Sequence, residues 1–428
     1  MNKNILKFAS LVVGVQLAMG CSPDDYTYHD NNVVDVSTID SIVLTPNHRM
    51  LVADGSAQLD LRPVLYTKEK NQIPDYRVKE EWLEYTSTSG MAITRYFSTS
   101  DASLIGKTLT IQVKMKGTDL VSEPVSFQII APLDSKYTSE IKIPVIFHII
   151  QTTEDVEKFG GAYEQDRVAL LLTKLNNMLS GAASVNPVGV NTHIRLEFAK
   201  YNQYGKKLTE PGIDRLTVRE IDIANGYADL LEGNNMIWPV NSFMNIWLIS
   251  DRKKEVEDFA NTISENCMPH YVYASTSAEN RPEGIDWMEE PSDNVFQLNE
   301  SGIIYKLQEV DEMDRSFTTE GAPANNELGY YVGRYLGLLP TCSYAEEPVT
   351  DYCDDTWDYF PDPLAINFNQ AWYKRVENCY FRAENIMDDP RGTHNSVSKS
   401  QCERMRWILE NCPERAAWKS DFAFVGKK

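Results

Sequence analysis

The sequence predicts an all-β domain followed by an α+β domain, and three observations support this order. Short segments of alternating polarity, separated by turn residues, fill residues 38–133, which is typical of antiparallel strands. After residue 138, apolar strands alternate with amphipathic helices, a pattern that indicates an α+β or α/β domain. The 428 residues, 42% of them hydrophobic, are enough for more than one hydrophobic core.

The net charge of −21 limits the partners that the chain can bind through bulk electrostatics. Nucleic acids and anionic membrane surfaces attract basic proteins, so the charge excludes both as partners of this kind. We therefore expect no nucleic-acid partner.

The N-terminus has the composition of a secretory signal. Lys3 and Lys7 precede the apolar run "FASLVVGVQLAMG", which ends in small residues before Cys21, so residues 1–20 are predicted to be a signal peptide. "LAMGC" resembles a bacterial lipobox, which implies a lipid on Cys21, and "SPDD" resembles the tag of surface-displayed lipoproteins. The implied location is the outer membrane, exposed at the cell surface, with residues 21–37 as a tether. The alternative is an ordinary signal peptide followed by an incidental cysteine.

Residues 38–133 are predicted to form a small β-sandwich, because six segments of period two fit in about 95 residues. This segment resembles bacterial immunoglobulin-like modules, which usually space or present another domain. The six predicted strands lie in "SIVLTP", "AQLDLRPVLY", "KEEWLEY", "ITRYFSTS", "TLTIQVKMKG" and "PVSFQIIA".

The region 138–428 begins with "IKIPVIFHII" (141–150), a buried strand by its continuous apolar run. "YEQDRVALLLTKLNNMLSG" follows as an amphipathic helix that Gly181 is expected to end. "THIRLEFAKY" and "NSFMNIWLIS" are predicted to be two further strands.

Six cysteines remain when Cys21 is set aside, and an even number in an exported chain predicts three disulfides. The pairing stays open, except that Cys402 and Cys412 cannot pair. They lie on one predicted helix, where ten residues span roughly 15 Å, beyond the reach of a disulfide. The six are Cys267, Cys342, Cys353, Cys379, Cys402 and Cys412.

The stretch "NELGYYVGRYLGLLPT" (326–341) is helical in character and rich in glycine but contains no histidine. Together with "IPVIFHII", "MNIWLIS", "DYCDDTWDY", "ENIMDD" and "MRWILENCPERAAWKS", in that order along the chain, it resembles the pappalysin-type metzincins. The resemblance is to zinc-dependent metalloproteinase lipoproteins of Gram-negative gut bacteria. It implies a metzincin-like (zincin) domain over residues 138–428, with H-E-x-x-H on a helix, a turning glycine, a third histidine and a methionine turn.

Zinc chemistry explains the spacing of this motif. Histidines four residues apart share a helix face and bind one zinc, and the glutamate between them acts as general base. The resemblance places Asn326, Glu327 and Tyr330 on the H-E-x-x-H positions and Pro340 on the third ligand position, with one extra helical turn between them. Only Glu327 keeps its family residue, in a degenerate general-base position.

A competing register, which we call the second register, places Tyr330, Tyr331 and Arg334 on the motif and loses the glutamate as well. The sequence favours the first register, because "NELGY" keeps Glu327 and Gly329.

Other histidines do not restore the site, because no two of the six lie within eighteen residues. His148, in the first strand, is expected to be structural. A non-local site made by His193, His270 and His394 is the remaining alternative. The sequence therefore predicts that zinc is absent.

Glycines four residues apart leave a smooth helix face that another backbone can approach closely; they are Gly329, Gly333 and Gly337. Met387 lies where the resemblance places the methionine turn, whose side chain would form an apolar surface beneath the metal position.

An acidic segment, "DYCDDTWDYFPD", offers carboxylates of the kind that calcium prefers. The resemblance allows calcium here, and a solvated acidic loop is the alternative. The candidate ligands are Asp351, Asp354, Asp355 and Asp358.

Taken together, these patterns predict a surface lipoprotein whose metalloprotease-like domain has lost its zinc ligands. We expect it to bind a peptide or protein by strand addition without cleaving it. The alternatives are an active zinc metalloendopeptidase with atypical ligands and a structural or adhesive surface protein. A membrane partner through the N-terminal lipid is common to all three.

The lipid prediction is tested by replacing the modified residue. Cys21→Ala is expected to abolish lipid modification, because the sulfur of Cys21 is the predicted attachment atom. The measurement is detergent-phase fractionation of cells expressing each form. A Cys21→Ala protein that still fractionates as lipid-modified contradicts the prediction.

Overall fold

The computed structural model describes much of residues 34–426. The residues outside this description within that span are 89, 160–164, 183, 220–226, 250–266, 268, 270, 276–278, 291–297, 307–326, 343–349, 358, 360–372, 377–378, 390–391 and 393. The predicted signal peptide, Cys21 and most of the tether also lie outside the described residues. Among the described residues, no helix is long and apolar enough to cross a membrane.

Seven strands between residues 39 and 130 form two sheets. One sheet has the order β1-β3-β5 and is antiparallel. The other has the order β2-β7-β6-β4, in which only the β2–β7 pair is parallel. The strands are β1 (Ile39–Pro46), β2 (Met50–Val52), β3 (Leu59–Thr67), β4 (Leu83–Ser87), β5 (Tyr96–Phe97), β6 (Thr108–Met115) and β7 (Val125–Ile130).

Each of the six predicted N-terminal segments contains one of these strands, and β2 is the strand that the pattern did not predict. "KEEWLEY" begins as the 3-10 turn Glu80–Trp82 and becomes β4 only at Leu83. Two sheets with alternating burial are therefore established here. Their immunoglobulin-like identity stays a prediction.

The region after residue 140 is mixed α/β, as its alternating elements predicted. Its main sheet runs β10-β8-β11-β14, with β9 paired beside the first half of β8, and all of its pairs are parallel. The strands are β8 (Ile141–Thr152), β9 (Ile194–Phe198), β10 (Ile213–Val218), β11 (Met244–Ile249) and β14 (Gly302–Lys306). The longest, β8, lies at the centre because it is apolar on both faces, as parallel strands usually are.

Two small pairs of strands and several helices complete the described region. The strand pairs are β12 (Tyr271–Tyr273) with β13 (Asp286–Met288), and β15 (Tyr373–Val376) with β16 (Cys379–Arg382). The helices are α1 (Thr153–Phe159), α2 (Gln165–Ser180), α3 (Tyr227–Gly233), α4 (Leu298–Ser301), α5 (Glu327–Tyr335), α6 (Lys399–Asn411) and α7 (Phe422–Val425). Short 3-10 turns occupy Val36–Thr38, Asp75–Arg77, Glu80–Trp82, Ala102–Leu104, Ser135–Tyr137 and Pro413–Lys419.

Helix α2 is confirmed with its predicted apolar face. Gly181 follows its last residue with φ +63°, a left-handed conformation that glycine adopts without steric cost. The face that packs into the core consists of Val168, Leu171, Leu172, Leu175, Met178 and Leu179.

His148 is fully buried in β8 and contacts the two strands beside it. Its Nδ1 lies 3.1 Å from Asp214 Oδ2 on β10, and its Nε2 lies 2.9 Å from Asn245 Oδ1 on β11. Trp247 stacks against the ring at 5.9 Å. These contacts give His148 a position at the centre of the sheet, away from any exposed surface.

The N-terminal sheets and the mixed sheet share one continuous hydrophobic cluster. Backbone hydrogen bonds also join them: the Val52 N–H donates to Pro187 O at 2.8 Å, and the Gln58 N–H donates to Val185 O at 3.0 Å. The two regions are therefore packed together through both apolar and polar contacts.

The prediction of three disulfides is wrong in this structure, which joins no pair of the six cysteines. They are buried in separate places: Cys402 in the main cluster, Cys412 beside Ile408, and Cys379 beside Phe381. Each packs as a small apolar residue, and burial raises the pKa of the Cys402 and Cys412 thiols to about 12. The exclusion of a Cys402–Cys412 bond holds, because the two lie in different clusters.

Candidate functional site

Helix α5 carries the stretch that the sequence singled out, and its C-terminal end is defined by Gly337. The Leu338 N–H donates to Gly333 O at 2.9 Å, and the Gly337 N–H donates to Arg334 O at 2.8 Å. This is the Schellman arrangement, in which the residue after the helix adopts a left-handed conformation. Gly337 has φ +90°, so it is the residue that turns the chain.

Most of α5 is buried, and one stripe reaches the surface. Tyr330 and Arg334 are partly exposed and lie four residues apart, so they share one face of the helix. The Tyr330 ring also contacts the Tyr331 ring edge to face at 5.7 Å. The buried residues of the helix are Leu328, Gly329, Tyr331, Val332, Gly333 and Tyr335.

The three glycines of this segment each meet a different element. A Cβ at Gly329 would overlap the sulfur of Met178 on α2, and a Cβ at Gly333 would overlap the sulfur of Met387. At Gly337 a Cβ would overlap the Ile408 side chain on α6. Gly329 and Gly333 thus lie on the predicted smooth face and are closely packed, whereas Gly337 lies beyond the end of the helix, in its turn.

Met387 lies in a turn that packs against α5 at Gly333. The Met387 N–H donates to Asn385 Oδ1 at 2.9 Å, and the Asn385 N–H donates to Asp388 Oδ2 at 3.0 Å. Thr341 binds the same turn, because its Oγ1 donates to Asp388 Oδ1 at 2.6 Å. Pro340 immediately precedes Thr341, so the predicted third ligand position is adjacent to the turn that holds Met387.

The two registers of the motif stay predictions, and they differ in where they place Gly337. Asn326 and the side chain of Glu327, which hold the first two positions of the first register, lie outside the described residues. In the second register, Gly337 lies three residues after Arg334 and three before Pro340. Metzincins place their turning glycine at this spacing, H-x-x-G-x-x-H. The second register therefore needs no extra helical turn, whereas the first needs one.

Two buried arginines hold the C-terminal end of α5, and the sequence reading missed both. Arg404 Nε donates to Gly337 O at 2.7 Å, and Arg415 Nε donates to Tyr335 O at 2.5 Å. The Arg415 guanidinium also lies 3.7 Å from the centre of the Tyr335 ring. The sequence does contain a signal for these contacts. Arg404 lies within the apolar pattern of α6 and Arg415 follows that helix, and an arginine buried at such a position needs a hydrogen-bond partner.

The acidic segment uses two of its carboxylates within the protein. Asp351 Oδ2 accepts from Thr356 Oγ1 at 2.7 Å. Asp355 accepts from Ser398 Oγ at 2.6 Å and from the Ser400 N–H at 2.9 Å, at the start of α6. Asp354 is exposed, and Asp358 lies outside the described residues. Calcium stays a prediction at this segment, where two of the carboxylates already have protein partners.

The non-local histidines are only partly described. His394 is buried, and its Nε2 donates to Asp389 O at 2.7 Å. His193 is partly exposed, and His270 lies outside the described residues. Within the described part of the chain, no three His, Cys, Asp or Glu side chains are grouped to hold a metal ion.

Close packing at the end of α5 predicts a large effect of a single methyl group. Gly337→Ala is expected to lower the free energy of unfolding by about 2–5 kcal/mol, because the left-handed conformation and the overlap with Ile408 both oppose a Cβ. Chemical denaturation measures the change. Gly233→Ala is the control, since Gly233 ends α3 with no heavy atom within 4 Å of the added Cβ. Equal stabilities of the two variants contradict the packing role of Gly337.

Comparison with known proteins identifies no family for this chain. No protein-family model and no curated protein matches it. Among solved structures, it is similar to mirolysin in complex with compound 9, with 16% identity and a TM-score of 0.38, covering 68% of this chain and 99% of that one. A Tannerella forsythia promirolysin mutant gives 17% identity and a TM-score of 0.37, covering 69% of this chain and 89% of that one. Likeness at these TM-scores is too low to establish a common fold.

Proposed function

We propose that the protein binds a peptide or protein segment at the partly exposed face of α5 and does not cleave it. The observation that carries the proposal is the pair Tyr330 and Arg334 on that face. Tyrosine and arginine are enriched where proteins contact other chains. A hydrolytic zinc site would need two histidines there.

The donor chemistry of this face does not fit zinc. Arg334 keeps its proton in proteins and has no lone pair to donate, so it repels a cation. Pro340 carries no side-chain donor atom. Tyr330 is left as the one oxygen donor of the second register, and a single ligand does not make a zinc site. We derive no hydrolytic step for this chain.

The wider proposal is a pappalysin-like domain on a surface lipoprotein, held away from the outer membrane by an immunoglobulin-like module. The lipobox-like N-terminus and the alternating strands support it, and so does the order of the metzincin-like segments. The acidic segment at 351–358 is retained as a candidate calcium site that stabilises the start of α6. In this account the domain presents a binding face, and the lipid fixes its location.

Peptide binding is tested with the two residues of the exposed face. The double variant Tyr330→Ala, Arg334→Ala is expected to weaken binding of peptides selected from an array by about tenfold or more, since contact residues of this type contribute over 1 kcal/mol each. Fluorescence anisotropy measures the affinity. Tyr76→Ala, on a residue 78% exposed in the N-terminal region, is the control.

The outcomes of that experiment separate the candidate functions. Chelator-sensitive cleavage of bound peptides, seen by mass spectrometry, contradicts the proposal and favours an active endopeptidase. An absence of any selected peptide also contradicts it and favours a structural or adhesive protein.

The motif itself is tested by restoring histidines. Because the helix turns at Gly337, we predict that the second-register variant Tyr330→His, Tyr331→Glu, Arg334→His, Pro340→His takes up zinc. The first-register variant Asn326→His, Tyr330→His, Pro340→His is the matched control and is predicted to take up less. Zinc titration of both variants beside the parent measures the difference.

Preferential zinc uptake by the first-register variant shows that the extra helical turn is tolerated and that the first register is correct. No uptake by either variant contradicts the presence of a former zinc site at α5.

A further inference from the structure

A pocket of 180 Å³ lies between the N-terminal sheets and the region after residue 184. Its walls come from the turn between β1 and β2, from β3 and β5, from the loop at 185–187 and from the strand pair β15/β16. Arg62 joins the two sides, because its Nη1 donates to Tyr380 O at 2.7 Å and its guanidinium lies 4.4 Å from the centre of the Phe381 ring. Pockets at such junctions are common places for small ligands.

Lys374 lines this pocket and is only 7% exposed. Its closest carboxylate among the described residues is Asp388, at 4.0 Å from Nζ to Oδ2. That distance is beyond a hydrogen bond, and the same oxygen already accepts from the Asn385 N–H. The ammonium has three donors, and water in the open pocket can solvate it. A carboxylate in the pocket would replace that water with a charge-assisted hydrogen bond.

The other titratable groups of the pocket do not neutralise Lys374. Burial lowers the pKa of His48 to about 3, so this ring is uncharged at neutral pH. Burial also raises the pKa of Glu384, although the nearby Lys374 charge lowers it. Asp60 is engaged by Arg62 at 2.7 Å and by Arg95 at 3.1 Å.

The charges of the described lining indicate the ligand class. The described lining contains three cations, Arg62, Lys374 and Arg382, and two carboxylates, Asp60 and Glu384. Asp60 is already paired with Arg62 and Arg95, so the cationic groups of the pocket suit a small anion.

We propose that this pocket binds a carboxylate group, with the Lys374 ammonium as its anchor. The carboxylate comes either from a free small acid or from the C-terminus of a peptide. Binding joins residues of both regions, so it stabilises their packing. The pocket is also connected to the candidate site, because Asp388 lies 4.0 Å from Lys374 Nζ and accepts a hydrogen bond from Thr341. The inference does not depend on peptide binding at α5.

The test measures thermal unfolding of the purified full chain in increasing sodium acetate. Sodium chloride of equal ionic strength controls for salt, and acetamide controls for shape without charge. We expect the unfolding midpoint to rise with the logarithm of acetate concentration, as for any ligand of the native state. Lys374→Met is expected to weaken the response about tenfold or more, because a charge-assisted hydrogen bond is lost. Lys200→Met, with a side chain 53% exposed, is expected to respond as the parent does.

A second arm identifies the source of the carboxylate. N-acetylglycylglycine is compared with its C-terminal amide, and a larger effect of the acid than of acetate identifies a peptide terminus. A response to acetate alone identifies a free acid, and both outcomes support the pocket.

Saturation-transfer NMR on the parent protein detects bound acetate without any variant, in case Lys374→Met does not fold. An acetate response no larger than that of chloride, together with no saturation transfer, overturns the proposal. A folded Lys374→Met variant that responds as the parent does overturns it as well.

Discussion

The missing side chains of one short helix determine how the described part of the second region is assembled. Gly329, Gly333 and Gly337 let Met178, Met387 and Ile408 approach α5 more closely than any Cβ would permit. Glycine costs roughly 0.5–1 kcal/mol relative to alanine inside a helix, so the close contacts must offset that cost. A helix packed in this way has a fixed rotation, and among its described side chains Tyr330 and Arg334 are the two left at the surface.

The fixed rotation has a chemical consequence. The stripe that reaches the surface carries an aromatic ring and a guanidinium, which suit contacts with another chain and do not suit a metal ion. The turn at Gly337 then brings Pro340 and Thr341 to the turn of Met387. Asp388 in that turn faces both Thr341 and the buried Lys374. Asp388 thus links the candidate site to Lys374 in the wall of the proposed carboxylate pocket.

Sequence patterns predicted those parts of the fold that depend on local periodicity. Alternation located the N-terminal strands, and the apolar face of α2 and its stop at Gly181 followed from period and glycine. Strand β14 was missed because a short apolar run does not distinguish strand from helix, and β10 was missed because Asp214 and Arg215 interrupt its apolar residues. The even number of cysteines led to a wrong prediction of disulfides, because the count does not show whether two thiols lie close together or are buried apart.

The candidate site was predictable only where it depends on local sequence features. The glycine spacing, Met387 and the absence of histidine from residues 326–341 are local features of the sequence. The pocket depends on His48, Asp60 and Lys374, which only tertiary packing brings together, and no local pattern marks such a set. The register of the proposed motif likewise stays open, because the sequence offers two.

The central claim is that α5 is a packing helix with a binding face that holds no zinc, and metal content tests it most directly. The purified chain, equilibrated with zinc and then freed of unbound metal, is analysed by mass spectrometry. We predict much less than one zinc per chain. One zinc per chain, lost on chelation together with a peptide-cleaving activity, would contradict the account.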